Sequence, residues 1–170
     1  MNKSHDNPCN VCTIDQDCCT RLSGLMLTQD EYERHFRNYQ DKLVIRPVNG
    51  FFIVSARKSG ICPHWENGGC RIYLDRPVDC RLYPYAIRHL IKIKQKVKIV
   101  FHAGSICLQK NRLYQLMSES EARALVMAFG KTVFGESTSI IVKREKGPFS
   151  RFRYRIEAAL RRRFNKTRHH

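Results

Sequence analysis

The sequence predicts a small α+β domain organised around bound metal, and three observations lead to that prediction. Short helical and strand-like patterns follow one another along 170 residues, which is enough chain to bury a core. Eight cysteines lie in close groups. The apolar runs are far shorter than the ~20 residues that cross a bilayer. We expect one cysteine-rich domain over 1–147, made of short strands, several helices and long cysteine-bearing loops, and a basic tail over 148–170.

The first predicted helix begins at a capping box. Thr28 and Glu31 have the spacing in which each side chain accepts the backbone N–H of the other residue. The aromatic face that follows predicts a helix to about residue 43. The members of that face are Tyr32, Phe36 and Tyr39.

Two further helices are predicted in the middle and later parts of the chain. Ser118 and Glu121 form a second capping box, from which a helix is expected to run to about Phe129. Pro77 suits the first turn of a brief helix that carries Cys80 and ends before the next proline.

Strands are predicted where β-branched and aromatic residues cluster. The runs 51–56 and 140–142 are short and β-rich, and 71–74 is a third candidate. The stretch 90–102 alternates lysine with Ile and Val, which indicates a half-exposed strand or hairpin with a lysine-coated outer face. The loop 57–70, rich in Gly, is expected to present two cysteines.

The eight cysteines are the candidate metal ligands. No apolar segment opens the chain, so we expect no secretory signal and predict a cytoplasmic, reducing compartment. There, clustered cysteines bind metal or carry out redox chemistry more often than they form structural disulfides. The candidates are Cys9, Cys12, Cys18, Cys19, Cys62, Cys70, Cys80 and Cys107.

The cysteine spacing leaves the metal and the number of sites open. Only Cys9 and Cys12 have the spacing of a zinc knuckle, and the adjacent Cys18 and Cys19 are awkward for a single ion. The Cys62-Pro63 step is similar to that of ferredoxin-type cluster loops. Eight thiolates suffice for two four-ligand sites, for an iron–sulfur cluster plus a zinc ion, or for one site with spare cysteines.

Arginines accompany the later cysteines. Arg71 and Arg81 directly follow Cys70 and Cys80, and Arg76 lies between them. A neighbouring cation favours the thiolate over the thiol and offsets the charge of a metal–thiolate site. We therefore expect these arginines to support the site.

Histidine and aspartate residues in the same region are given lesser roles. His64 follows Cys62 by two residues and is an alternative ligand, although a solvent-exposed loop histidine is the favoured interpretation. Asp75 and Asp79 are interpreted as loop and helix-start residues. The sequence has no Gly-rich phosphate loop, Gly-x-Ser-x-Gly elbow or His-Glu-x-x-His pattern that would indicate a catalytic site.

Three cysteine segments together carry a resemblance to a known family. They are Cys9-x2-Cys12-x5-Cys18-Cys19, then Cys62-Pro63, then Cys70-Arg71-Ile72-Tyr73-x2-Arg76-Pro77-x2-Cys80-Arg81-x-Tyr83-Pro84. Over about residues 9–107 the pattern resembles the YkgJ-type cysteine-cluster family of zinc- or iron-chelating domains, which includes flagellin lysine N-methylase. The resemblance implies metal binding by these seven cysteines, with Cys107 as a looser match, and most members lack an assigned activity.

The charge of the chain points to a further partner. Lys and Arg number 31 against 15 Asp and Glu, a net charge of +16 that favours nucleic acid, acidic proteins or anionic lipid. Residues 143–168 hold 11 Lys or Arg against 2 Glu. Apolar residues recur there at helical spacing, so we predict a basic amphipathic helix. They are Phe149, Phe152, Ile156, Leu160 and Phe164.

Three functions follow as hypotheses. The first is a cytosolic protein that chelates zinc or iron, the latter as an ion or an iron–sulfur cluster. The second is a protein-modifying enzyme like flagellin lysine methylase, although the sequence has neither a Gly-rich methyltransferase loop nor a C-x3-C-x2-C cluster motif. The third is a module that binds nucleic acid, or an acidic protein, through the basic tail.

Overall fold

The predicted α+β class is confirmed. The computed structural model describes residues 22–57, 60–103 and 117–145. Its elements in chain order are β1 (Leu25–Thr28), α1 (Gln29–Glu31), a π-helical turn (Tyr32–Phe36), a 3-10 segment (Arg37–Lys42), β2 (Leu43–Val48), β3 (Phe51–Ala56), β4 (Trp65–Glu66), β5 (Gly69–Cys70), a second 3-10 segment (Tyr73–Asp75), α2 (Val78–Arg81), β6 (Tyr85–Ile93), β7 (Lys96–Ala103), α3 (Glu119–Phe134) and β8 (Ser139–Arg144).

The first sheet is antiparallel, with the strand order β1-β3-β2. The predicted strand 51–56 is its centre, whereas β1 and β2 were not predicted from the sequence. Side chains from β1, β2, β3 and the helical segment bury one another in a group that we call the first core. Its members are Leu22, Leu25, Leu27, Tyr32, Phe36, Leu43 and Val54.

The second sheet has the order β6-β7-β8, with an antiparallel hairpin and a parallel pair. The predicted alternation is confirmed in β7, where Val97 and Ile99 are fully buried and Lys96 is exposed. Helix α3 covers the apolar side of this sheet, and the residues buried there form the second core. Its members are Phe51, Leu82, Tyr85, Ile87, Val97, Ile99, Phe101, Ala122, Val126, Phe129 and Val142. Gly130 allows this close packing, because a Cβ there would lie 2.8 Å from the Cδ1 of Ile99.

Both predicted capping boxes are present. The hydroxyls of Thr28 and Ser118 accept the backbone N–H of Glu31 and Glu121, and each carboxylate accepts the N–H of its cap residue. Helix α3 runs five residues beyond the predicted Phe129 and stops at Gly135, whose φ of +88° suits glycine.

The first helix reaches the predicted length but is not a regular α-helix. After one α-helical turn it widens into the π-helical turn and then tightens into the 3-10 segment. The backbone carbonyl of His35, in the π-helical turn, accepts a hydrogen bond from the imidazole of His64. Single π-helical turns often occur at functional sites.

The prediction of a strand at 71–74 is wrong. Residues Asn67 and Gly68 have φ of +49° and +77° and close a tight β4–β5 hairpin. The N–H of Arg71 donates to the carbonyl of His64 at 2.9 Å, which completes the hairpin. The chain beyond it therefore has no strand to pair with and turns into the second 3-10 segment.

In the part of the chain that the structure describes, no helix combines the length and apolar character needed to cross a bilayer. The predicted basic helix of the tail, and the domain boundary at 147/148, lie outside the described residues.

Candidate metal centre

Three of the predicted ligands lie in the described residues. Cys62 precedes β4, Cys70 ends β5 and Cys80 lies on α2, and all three are free thiols. The remaining candidates lie outside the described residues. They are Cys9, Cys12, Cys18, Cys19 and Cys107.

The Cys62 thiol is half-buried beside the first core and has two hydrogen-bond donors. The backbone N–H groups of His64 and Trp65 donate to it and favour the thiolate. Burial is the larger effect, however, and it raises the pKa of Cys62 above its ordinary value. Without a cation nearby, this sulfur is a neutral thiol at neutral pH.

The Cys80 thiol is more strongly affected by burial. Burial first, and the negative charge of Asp79 second, raise the pKa of Cys80 far above its usual range. Such a thiol is a poor nucleophile, since the thiolate is the reactive form. Cys80 packs against the first core together with Cys62.

The three thiols lie within electrostatic range of one another. Ionised Cys70 would raise the pKa of Cys62, and ionised Cys62 and Cys70 would both raise the pKa of Cys80. The two-residue pairing of β4 with β5 sets Cys70 opposite Trp65, three residues after Cys62. The fold therefore brings together cysteines that lie up to 18 positions apart in the sequence.

These three thiols alone do not form a finished metal site. Across residues 22–57, 60–103 and 117–145, no group of three or more His, Cys, Asp or Glu side chains is placed to hold one metal ion. Any site that uses Cys62 or Cys80 would therefore need ligands from the rest of the chain.

The chain enters the described fold beside Cys62. The N–H of Leu22 donates to the carbonyl of Gly60 at 2.7 Å, and the carbonyl of Leu22 accepts the N–H of Ala56 at 2.9 Å. Cys19 precedes Leu22 by three residues, which limits their Cα separation to about 11 Å. Leu22, which contacts Gly60 two residues before Cys62, is therefore the described residue from which the chain leads back to the four N-terminal cysteines.

The described chain leads toward Cys107 from the end of β7. Ala103 ends β7 and pairs with Tyr85, which follows Cys80 by five residues. Cys107 follows Ala103 by four residues, a reach of at most about 14 Å.

The three arginines near the cysteines do not all have the supporting role that the sequence predicts. Arg76 is the cation that lowers the pKa of Cys80, although it only partly offsets the effect of burial. Arg71 instead contacts the hydroxyl of Tyr39 and approaches Glu66 at 3.8 Å. Arg81 is exposed, and neither it nor Arg71 is among the charges that shift the pKa of Cys62 or Cys80.

The expectation of a solvent-exposed His64 is wrong. His64 is only 4% exposed, and its ring packs edge-on against Phe36 and Tyr39 with centroids 5.0 and 5.2 Å away. Its Nε2 lies 2.7 Å from the carbonyl oxygen of His35. Burial lowers the pKa of His64, which favours the neutral imidazole. The pattern Cys-Pro-His gave no signal of this burial, because the covering aromatic residues come from the preceding helical segment.

Asp79 lies in the first turn of α2, in agreement with its interpretation as a helix-start residue. Its carboxylate is buried, accepts the N–H of Met26 at 2.9 Å and also accepts the N–H of Ile87. Burial, reinforced by the negative charge of Glu31, raises the pKa of Asp79 to about 6. The carboxylate serves as a structural acceptor beside Cys80.

A half-open cleft of about 240 Å³ lies where α1, α2 and α3 meet. Its charged groups largely contact one another or the backbone. Arg34 pairs with Asp30 and with Asp75, and Glu31 accepts the backbone N–H of Val78 at 2.6 Å. These contacts join the helical elements and account for the charged lining.

No protein-family model matches the chain, and neither does any curated protein or solved structure. Function is therefore argued from the site itself.

Proposed function

We propose that this protein chelates zinc or iron, the iron as an ion or an iron–sulfur cluster, through its clustered cysteines. Cys62, Cys70 and Cys80 would supply part of the ligand set. The rest would come from the cysteines at 9–19 and from Cys107. The resemblance of residues 9–107 to zinc- or iron-chelating domains supports the same proposal.

The observation that carries the proposal is that Cys62 and Cys80 pack against the same core, with Cys70 near enough for its charge to raise the pKa of both. Such an arrangement is unfavourable for free thiolates, and a bound cation reverses it because the metal deprotonates its thiol ligands. Two backbone N–H groups already donate to the sulfur of Cys62. Donors of this kind stabilise a ligating thiolate.

The test is metal and acid-labile sulfide analysis of the full chain purified without oxygen, together with its visible absorption. We expect at least one equivalent of zinc or iron per chain. Colourless protein with zinc indicates a thiolate zinc site, and brown protein with sulfide indicates a cluster. Protein that is folded but holds less than a tenth of an equivalent of either metal would contradict the proposal.

Variants separate loss of ligand from loss of fold. Cys80→Ser should lower the metal content by at least half. Ala122→Ser is the matched control, since it buries the same hydroxyl in the second core, at a residue with 0% exposure. We expect Ala122→Ser to lower the melting temperature and yet to retain metal. Equal metal loss in the two variants would mean that the loss reflects general destabilisation.

A further inference from the structure

One ring nitrogen of His64 is buried without a partner. Because Nε2 lies 2.7 Å from the carbonyl oxygen of His35, Nε2 carries the proton and donates it. Nδ1 is then an acceptor with a free lone pair, and no side chain or backbone group of the described residues donates to it. A buried polar atom without a partner is energetically unfavourable, so this nitrogen calls for an explanation.

The hydrogen bonding of His64 is that of a metal-ligating histidine. Such histidines almost always donate the other ring N–H to a carboxylate, a backbone carbonyl or water, which fixes the tautomer. Here the carbonyl of His35, which lies in the π-helical turn, has that role. The neutral tautomer that results has its lone pair on Nδ1.

The position of His64 is also fixed before any ligand binds. Its ring is held against Phe36 and Tyr39. Its backbone N–H donates to the sulfur of Cys62, and its carbonyl accepts the N–H of Arg71 at 2.9 Å. A side chain held in this way loses little conformational entropy on coordinating a metal.

His64 shares its surroundings with two thiols. Phe36 belongs to the first core, and Cys62 and Cys80 pack against that same core. Imidazole nitrogen and thiolate sulfur combine readily around zinc and around iron. Each neutral imidazole that replaces a thiolate also removes one negative charge from a site whose sulfurs repel one another.

We propose that Nδ1 of His64 is a ligand of the metal held by the cysteines, so that the centre has mixed sulfur and nitrogen coordination. This assignment rests on the proposed metal binding. The alternative is an all-sulfur site beside a histidine that serves only for packing.

X-ray absorption at the zinc edge of the zinc-loaded full chain distinguishes the mixed sulfur and nitrogen site from the all-sulfur site. We expect sulfur at about 2.3 Å and one nitrogen at about 2.0–2.1 Å, with the multiple scattering of an imidazole ring. A sulfur-only shell would overturn the assignment of His64 and would leave cysteine chelation intact. Failure of the full chain to bind either zinc or iron stoichiometrically would overturn both.

Three variants identify the histidine. His64→Gln should lose the imidazole scattering and weaken zinc binding by more than about 100-fold, beyond the 10–100-fold that loss of an outer hydrogen bond produces. The controls are His5→Gln, close to the first cysteines, and His102→Gln, on the second sheet. Each should retain the imidazole scattering and the affinity for zinc. Imidazole scattering that survives His64→Gln, or that disappears in either control, would refute the assignment.

A measurement on the unchanged chain covers the case in which His64→Gln does not fold. The protein is loaded with an NMR-active cadmium isotope, and scalar coupling between the metal and histidine ring protons is recorded. Coupling to the Hε1 proton of His64 supports the assignment. Coupling to cysteine Hβ protons without any to His64 overturns it.

Discussion

The carboxylate of Asp79 accepts the backbone N–H of Met26 at a distance of 2.9 Å. Met26 lies in β1, an edge strand of the first sheet, and the same carboxylate accepts the N–H of Ile87 in β6, an edge strand of the second sheet. One side chain on α2 thereby links the two sheets. Cys80, the next residue, is positioned by the same link.

Replacing Asp79 with alanine should destabilise the protein substantially. Two buried backbone N–H groups would lose their acceptor, and each such loss costs about 1–3 kcal/mol. We expect Asp79→Ala to lower the free energy of unfolding by about 2–4 kcal/mol, measured by denaturant titration at neutral pH.

The matched control is Asp41→Ala, at an exposed carboxylate in the 3-10 segment. Surface substitutions of this kind usually change stability by no more than about 0.5 kcal/mol. Similar costs for Asp41→Ala and Asp79→Ala would show that the link between the sheets contributes little.

The capping box of α3 should also have a measurable effect on stability. The Ser118 hydroxyl accepts the N–H of Glu121 at 3.2 Å, and the Glu121 carboxylate accepts the N–H of Ser118 at 2.7 Å. We expect Ser118→Ala to cost about 1 kcal/mol, the usual value for losing such a cap. Ser139→Ala, at an exposed position in β8, is the control and should be nearly neutral. Equal melting temperatures for the two variants would contradict this role of Ser118.

Local patterns predicted the parts of the fold that depend on neighbouring residues. Both capping boxes and the alternation of β7 involve contacts within a few positions, so the sequence displays them directly. The extent of the first helical segment was predicted for the same reason.

Features set by distant contacts could not be predicted in this way. The hydrogen bond between the carbonyl of His35 and the imidazole of His64 joins residues 29 positions apart. The burial of Asp79 depends on donors from Met26 and Ile87, which belong to different sheets. The cysteine spacing indicated candidate ligands, whereas the partly buried state of their thiols emerged only from the packing of α2 and the Cys62 loop on the first core.

Acidification should weaken the start of α3. The hydrogen bond from Arg144 lowers the pKa of Glu119, and the hydrogen bond from Ser118 lowers the pKa of Glu121, both from an ordinary value of 4.5. A carboxyl group whose pKa is lower in the folded protein than in the unfolded chain stabilises the folded state at pH values above its unfolded-state pKa. That stabilisation is lost as the pH falls through the folded-state pKa. The loss should therefore occur below about pH 4.5.

The measurement compares melting temperatures of the full chain and of Glu121→Gln between pH 7 and pH 3. The difference between the two melting temperatures should shrink as the pH falls, because the wild-type carboxyl group is then protonated and, like the glutamine side chain, carries no charge. Glu136→Gln is the control, since the Glu136 side chain is 89% exposed. A difference for Glu121→Gln that stays constant over the whole range would show that its charge is unimportant.

Metal removal should affect the two cores unequally. Cys62 and Cys80 pack against the first core, whereas the second core is formed by α3 and the second sheet. Binding of a metal to cysteines contributes directly to folding free energy, so chelation should destabilise the elements nearest the thiols most.

Hydrogen exchange of the full chain, with and without chelator, tests this at single amides. Protection should fall at Leu27 and Val54 by at least tenfold more than at Val97 and Val126. Equal losses at all four amides would mean that Asp79 couples the sheets into one cooperative unit, and an unchanged melting curve after complete metal removal would contradict a structural role for the metal.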